Sequence, residues 1–236
     1  MPMRNTLLTA MLALLAALSL AQGREEEARD RRLPGIKTRL SQMGLGAGGT
    51  QLFIRAFKLD AQVEAWVRDD STGWMLFRTY PMCAVSGLPG RKMLEGDRQV
   101  PEGVYRITEF NDRSQYHMSL KINYPNEADH YWADSARPGG EIYFHGGCAT
   151  IGCLPLTDPG IEELYTLARM SRPHIPVHIF SVRFSSESSW RRLQTYAYVK
   201  EDMLFQLQMM NVFDHFERYR EIPVVTVDTA GRYIVR

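Results

Sequence analysis

The chain has 236 residues, 44% hydrophobic and 23% charged, with a formal net charge of +1 at pH 7. Those values suit a globular protein with a full core, built as one large domain or as one domain with a helical annex. The near-neutral balance supplies no electrostatic footprint for nucleic acid, and the sequence shows neither an internal repeat nor a low-complexity tract.

The first segment reads as a targeting signal. Arg4 gives a positive start, residues 7–20 are an almost unbroken run of Leu and Ala, and Ser19-Leu-Ala has the small-x-small pattern of a signal peptidase site. The run is short for a membrane span, which needs about 20 apolar residues. Residues 1–21 are therefore expected to be cleaved, leaving an exported, soluble protein. No cysteine stands at the junction to carry a lipid. Export bears on the three cysteines, Cys83, Cys148 and Cys153, because disulfides persist in an oxidising space. An odd count leaves at least one thiol over. A Cys83–Cys148 disulfide with Cys153 free is one solution; three buried, inert thiols is the other.

Residues 22–49 begin with a charged run at 24–32, followed by Leu33-Pro-Gly, and Leu40, Met43 and Leu45 give only weak helical spacing. This reads as a partly ordered leader whose charges form a solvated face. From Gln51 the pattern becomes β. Leu52, Ile54 and Ala56 alternate, then Val63, Ala65 and Val67, and residues 74–80 follow a turn at 69–73. A Gly/Pro loop at 87–96 holds Arg91 and Lys92. Residues 104–110 and 117–122 read as further strands, and 127–140 as a polar loop with His130, Trp132 and Arg137, suited to one wall of a cleft. Asp158 is placed to cap a helix with Pro159 at its first position. Ile161, Leu164, Tyr165 and Ala168 fall on one face of that helix, and Arg172-Pro173 stops it. Residues 175–182 are a strand. Residues 187–220 are helical in composition, with a break expected at Asn211 and Asp214, and 222–227 with 233–235 close as a hairpin. The predicted class is α+β: a β-rich body over 50–183 with few helices, and a helical and hairpin extension over 184–236 packed on it.

The chemistry concentrates in residues 141–157. A short apolar strand ends at His145, two glycines and Cys148 follow, and Gly152 directly precedes Cys153, just before the helix start. Glycines let the backbone turn sharply and leave N–H groups free, which suits stabilisation of an oxyanion after a thiolate attacks a carbonyl. A thiol with pKa ~8.5 is mostly protonated at neutral pH, so a base is required. His145, eight residues before Cys153, can act as that base if the turn folds back. Cys148 has no helix start after it. His145, Cys148 and Cys153 could also be read as zinc ligands, but the spacing is poor and no fourth ligand stands out. No metal and no cofactor is expected.

Residues 142–156, with His-Gly and a downstream small-x-Gly-Cys, resemble the active-site signature of the L,D-transpeptidase catalytic domain, YkuD type. Residues 96–105 resemble that family's Thr/Val-Pro-x-Gly segment, and residues 117–126 resemble a segment of its YafK-like murein transpeptidase branch. The resemblance runs from about 51 to 180. It implies Cys153 as nucleophile and His145 as base. It also implies a backbone at Gly146 that orients the His, and an oxyanion hole from the amides of Gly152 and Cys153. The sequence departs from the usual pattern at three points. Ile151 stands where a second His is usual, the His-to-Cys spacing is shorter, and Leu154 stands where many members carry Arg. A substrate carboxylate must then meet another cation, and Arg91, Lys92 and Arg137 are the loop candidates. His117 is a candidate for lining the cleft. The implied substrates are diaminopimelate-containing peptidoglycan stem peptides in the periplasm, acylating Cys153 as a thioester. The acceptor is an amine, or water in cleavage of the link between peptidoglycan and a lipoprotein. The resemblance also implies carbapenem-type inhibitors. A non-catalytic wall-binding module is the competing class.

Overall fold

Strand β1 (Gln51–Phe57) is the centre of the molecule and is covered on both sides. Its residues 52–57 are all buried. Leu52, Ile54 and Ala56 belong to the main core, while Phe53 and Phe57 meet the rings of Phe216 and Phe213 at centroid distances of 5.0 and 6.1 Å. A strand buried on both faces shows no alternation between apolar and polar residues. The period of two in its sequence is real, but the second half of it, Phe53, Arg55 and Phe57, is buried as well, with Arg55 held in ion pairs. The computed structural model describes residues 23–46, 49–196 and 202–236. The expected signal, residues 1–21, lies outside them. Among the described residues no helix is long and apolar enough to cross a membrane.

β1 pairs antiparallel with β2 (Gln62–Arg68), which pairs with β3 (Met75–Pro81). On its other side β1 runs parallel to β8 (Pro176–Phe180), and β8 pairs antiparallel with β4 (Gly103–Asn111). Beyond β4 lie β5 (Ser119–Ile122), β6 (Tyr143–His145) and β7 (Leu154–Pro155), completing one eight-stranded mixed sheet in the order β3-β2-β1-β8-β4-β5-β6-β7. The fold is α+β, as expected. A separate hairpin joins β9 (Val225–Val227) to β10 (Tyr233–Val235).

Three expectations need correction. First, the leader is a 19-residue helix, α1 (Arg24–Gln42), which continues through Pro34. Its weak pattern understates it because only a narrow stripe, Ala28, Ile36 and Leu40, is buried. Full burial of residues such as Ile36 and Leu40 is worth about 1.5–3 kcal/mol each, enough to offset an interior proline at about 3 kcal/mol. Nor are its charges only solvated, as the site shows below. Second, residues 127–140 are not all loop. α2 (Glu127–Trp132) begins there in a capping box, with Asn126 accepting from the Asp129 amide and Asp129 accepting from the Asn126 amide. Burial raises the Asp129 carboxyl to about 7. Third, the C-terminal helix does not break at Asn211 or Asp214. α5 (Met203–Tyr219) is continuous and follows a short α4 (Glu187–Gln194). Phe205, Met209, Val212, Phe213 and Phe216 give α5 a long buried face, and that packing overrides two poor helix formers.

α5 is also tied down by charge. Arg55 on β1 is 1% exposed and bonds Glu64 through Nε and Nη2 at 2.9 and 2.7 Å, and Glu217 of α5 through Nη1 at 2.7 Å. On the opposite side of the sheet α1 packs against α3 (Asp158–Met170), the helix that follows the Gly-Cys pair.

Candidate active site

The register of three short strands assembles the site. β6 pairs antiparallel with β5 and parallel with β7, with Phe144 opposite Leu154 and His145 opposite Pro155. Side chains alternate across a strand. Phe144 and Leu154 therefore point into the core, both fully buried, while Tyr143, His145 and Cys153 share the other face. There they line a cavity of about 550 Å³ together with Glu141, Ser119 and the end of β4 with its following turn, Asn111, Arg113, Ser114, Gln115 and Tyr116. Two other hollows, of about 370 and 540 Å³, contain no cysteine.

His145 is 3% exposed. Its Nδ1 lies 2.6 Å from the carbonyl oxygen of Gly146, and the Tyr116 ring covers it at a centroid distance of 4.8 Å. A carbonyl only accepts, so Nδ1 carries the proton and Nε2 is left as the basic nitrogen. Burial lowers the His145 pKa below 6.5, and the Gly146 carbonyl opposes this only in part. Cys153 is the free thiol, partly exposed, with Sγ 3.6 Å from the Glu141 carbonyl oxygen. Burial raises its pKa; the Tyr143 backbone amide and Lys92 pull the other way. The resting pair is thus a neutral thiol and a neutral imidazole, the arrangement in which a base must take the proton during attack.

The turn between them is built by close approach. A Cβ at Gly146 would lie 2.6 Å from Asp158 Oδ1 and 2.8 Å from the Tyr116 carbonyl oxygen, so only glycine fits. The Gly146 amide donates to that carbonyl at 2.9 Å, and the Gly147 amide donates to Asp158 Oδ1 at 2.8 Å. Gly152 has φ +140°, a conformation open to glycine. Cys148 is bonded to Cys83 in a disulfide, which fastens the turn to the segment after β3.

The expected oxyanion donors stand differently from expectation. The amides of Gly152 and Cys153 converge on Thr150 Oγ1 at 3.2 and 2.9 Å, and that hydroxyl donates to the Cys153 carbonyl at 2.8 Å. Thr150 must leave them before they can serve a substrate oxygen. The sequence reading missed it. The helix cap is also shifted by one residue. Thr157 caps α3, and Asp158, freed from capping, supports Gly147.

The four residues expected around the substrate do not gather in the cavity. His117 is not in a strand. It has φ +70° and turns its ring toward α3, with Nε2 2.9 Å from Glu162 Oε1. Arg91 is ion-paired with Asp202 and lies over the Trp132 and Phe205 rings. Lys92 is 5% exposed, ion-paired with Asp97, and donates to the Leu94 carbonyl at 3.0 Å. Arg137 is exposed on the segment after α2, outside the cavity lining. That segment does not form the cleft wall; the turn between β4 and β5 does. Ile151, in place of a second His, is 78% exposed.

The wall is held from below by the leader helix. Arg24 Nη1 donates to the carbonyls of Ser114 and His117 at 2.8 and 2.9 Å. Arg31 Nη2 and Arg32 Nε donate to Glu162 at 2.7 and 2.9 Å, and Glu162 also faces His117. Burial pushes the Glu162 carboxyl up, but Arg31, His117 and Arg32 together bring it down to about 2. The charged run at 24–32 is therefore part of the support for the wall of the cavity that holds His145 and Cys153.

The L,D-transpeptidase catalytic domain family, YkuD, has a model that matches residues 56–179, more than half of the chain. The chain belongs to that family. YafK of Escherichia coli K12, named as a candidate L,D-transpeptidase, is 28% identical over 193 residues, covering 79% of this chain and 74% of that protein. Among solved structures, the helical cell shape determining protein Pgp2 of Campylobacter jejuni is 17% identical, with 82% of this chain and 80% of that chain covered at a TM-score of 0.48. Bd1075 of Bdellovibrio bacteriovorus is 20% identical, with 70% and 62% covered at a TM-score of 0.40. The resemblance drawn from residues 142–156 and two outlying segments thus named the right family. The L,D-transpeptidase match takes in β2 to β7 whole, the last two residues of β1 and all but the last residue of β8, and both His145 and Cys153 lie inside it. α1 and α5 lie outside the matched span and brace the two faces of that sheet.

Proposed function

We propose that the protein is a cysteine-dependent L,D-transpeptidase acting on diaminopimelate-containing peptidoglycan stem peptides outside the cytoplasm. The observation that carries this reading is the shared face of β6 and β7. It brings the free thiol of Cys153 and the buried imidazole of His145 into one cavity, with Nδ1 fixed on Gly146.

In the first step the Cys153 sulfur forms a bond to the acyl carbon as His145 Nε2 takes the thiol proton. The tetrahedral oxyanion collapses, the carbon–nitrogen bond breaks, and the amine leaves with the proton from His145. A thioester on Cys153 remains. In the second step an acceptor amine attacks, His145 takes its proton, the carbon–sulfur bond breaks and the thiol is restored. With water as acceptor the same chemistry is hydrolysis, including cleavage of a peptidoglycan–lipoprotein link. Carbapenem-type β-lactams acylate the same sulfur in this reading. The family membership, the YafK likeness and the His-Gly…Gly-Cys geometry support it.

Incubation of the mature protein with sacculi, some bearing covalently attached lipoprotein, tests this directly, with muropeptides read by mass spectrometry beside a Cys153→Ala control. New diaminopimelate–diaminopimelate cross-links are the expected result. Loss of attached protein without new cross-links assigns the hydrolase reaction. No Cys153-dependent change assigns the non-catalytic wall-binding alternative.

A further inference from the structure

Leu154 follows the nucleophile and is fully buried, so no cation can reach the substrate from that position. The other cations near the cavity are committed. Lys121 pairs with Glu141 at 2.6 Å, and Lys92 and Arg91 are held by Asp97 and Asp202. Arg113 is different. It is exposed, it lines the cavity with His145 and Cys153, and among the described residues its guanidinium has no hydrogen-bond or ion-pair partner. Its backbone is nonetheless fixed. Its amide donates to Asn111 Oδ1 at 2.9 Å, and Arg24 and Gly146 bind the carbonyls of Ser114 and Tyr116 within the same turn. A fixed backbone carrying a free planar fork of donors is suited to bidentate capture of a carboxylate.

We infer that Arg113 is the specificity-determining residue that binds a free carboxylate of the peptide substrate beside Cys153. This rests on the acyl-transfer reading and adds the group that orients the peptide. The carboxylate has two chemical sources in such a peptide: its C-terminus, or the side-chain carboxyl of its dibasic residue. Glu141, on the same cavity, is kept ionised by Lys121 and Tyr143, so it repels a carboxylate and leaves the Arg113 side as the favourable one.

The test compares synthetic stem tetrapeptides with both carboxylates free, with the C-terminus amidated, or with the side-chain carboxyl amidated. Wild type, Arg113→Ala and Arg113→Lys are each assayed for kcat/KM and for iodoacetamide labelling of Cys153. Charge-assisted hydrogen bonds set the scale at about 10–100-fold. Wild type is expected to prefer the free peptide by that factor over one of the two amides, which identifies the source. Arg113→Ala is expected to lose the preference through KM while labelling stays at the wild-type rate, and Arg113→Lys to recover part of it. Turnover with the same preference in Arg113→Ala overturns the inference and leaves the acyl-transfer reading standing. No turnover of any peptide by wild type overturns both.

Discussion

Replacing His145 by alanine is expected to lower kcat for acyl transfer by about 10²–10⁴-fold, the usual contribution of a positioned general base. The reason is the state of the pair. Burial holds the Cys153 thiol above its ordinary pKa and the His145 imidazole below 6.5, so no standing thiolate is available at neutral pH. The signs give a pH profile. His145 acts in its neutral form, so activity holds below pH 6.5 and falls only as pH drops through its depressed pKa. In the His145→Ala protein the thiol must ionise unaided, and iodoacetamide labelling of Cys153 should recover only above the ordinary thiol range near pH 8.5. Labelling at pH 7 that is equally fast in wild type and His145→Ala would remove the base from the mechanism.

The second large effect is on stability. The Cys83–Cys148 disulfide spans 65 residues of sequence and ties the turn carrying the Gly-Cys pair to the end of the β1–β3 meander. Removing a crosslink of that span costs about 2–4 kcal/mol. For a chain of this size that corresponds to about 5–15 °C in Tm. A Cys83→Ser/Cys148→Ser double variant, and wild type in strong reductant, should both show the shift in thermal unfolding. An unchanged Tm in both would mean that the turn is held by Asp158 and the Gly146 contacts alone.

What could be read from the sequence was local. Residues 141–157 contain the strand, the turn, the thiol and the helix start within one contiguous stretch, and β6 and α3 follow it closely, whereas β7, two residues long, is too short to show a period of two. The cysteine arithmetic was also sufficient to offer Cys83–Cys148 as one pairing. What could not be read depends on distant pieces. The turn after β4 is polar and looks like an ordinary connection. It becomes a cleft wall only because β5 pairs with both β4 and β6, and so Arg113 escaped notice while Arg91 and Lys92, in a Gly-rich loop, drew it. Arg91 and Lys92 carry acidic partners 111 and 5 residues away, and no local pattern shows the first of these. Glu162 has no acid-binding partner near it in sequence on α3. Its partners Arg31 and Arg32 sit 131 and 130 residues earlier, in a run whose periodicity is too narrow to announce a packed helix. The Thr150 hydroxyl bridge depends on backbone directions at Gly152 that composition does not encode.

The central claim is that Cys153 carries the acyl group. Intact-protein mass spectrometry after acid quench of the enzyme with a stem tetrapeptide tests it most directly. The expected result is a covalent adduct of the peptide less its leaving residue, mapped to Cys153, released by hydroxylamine and absent from Cys153→Ala. Turnover that continues in Cys153→Ala, or an adduct mapped to another residue, would contradict the account.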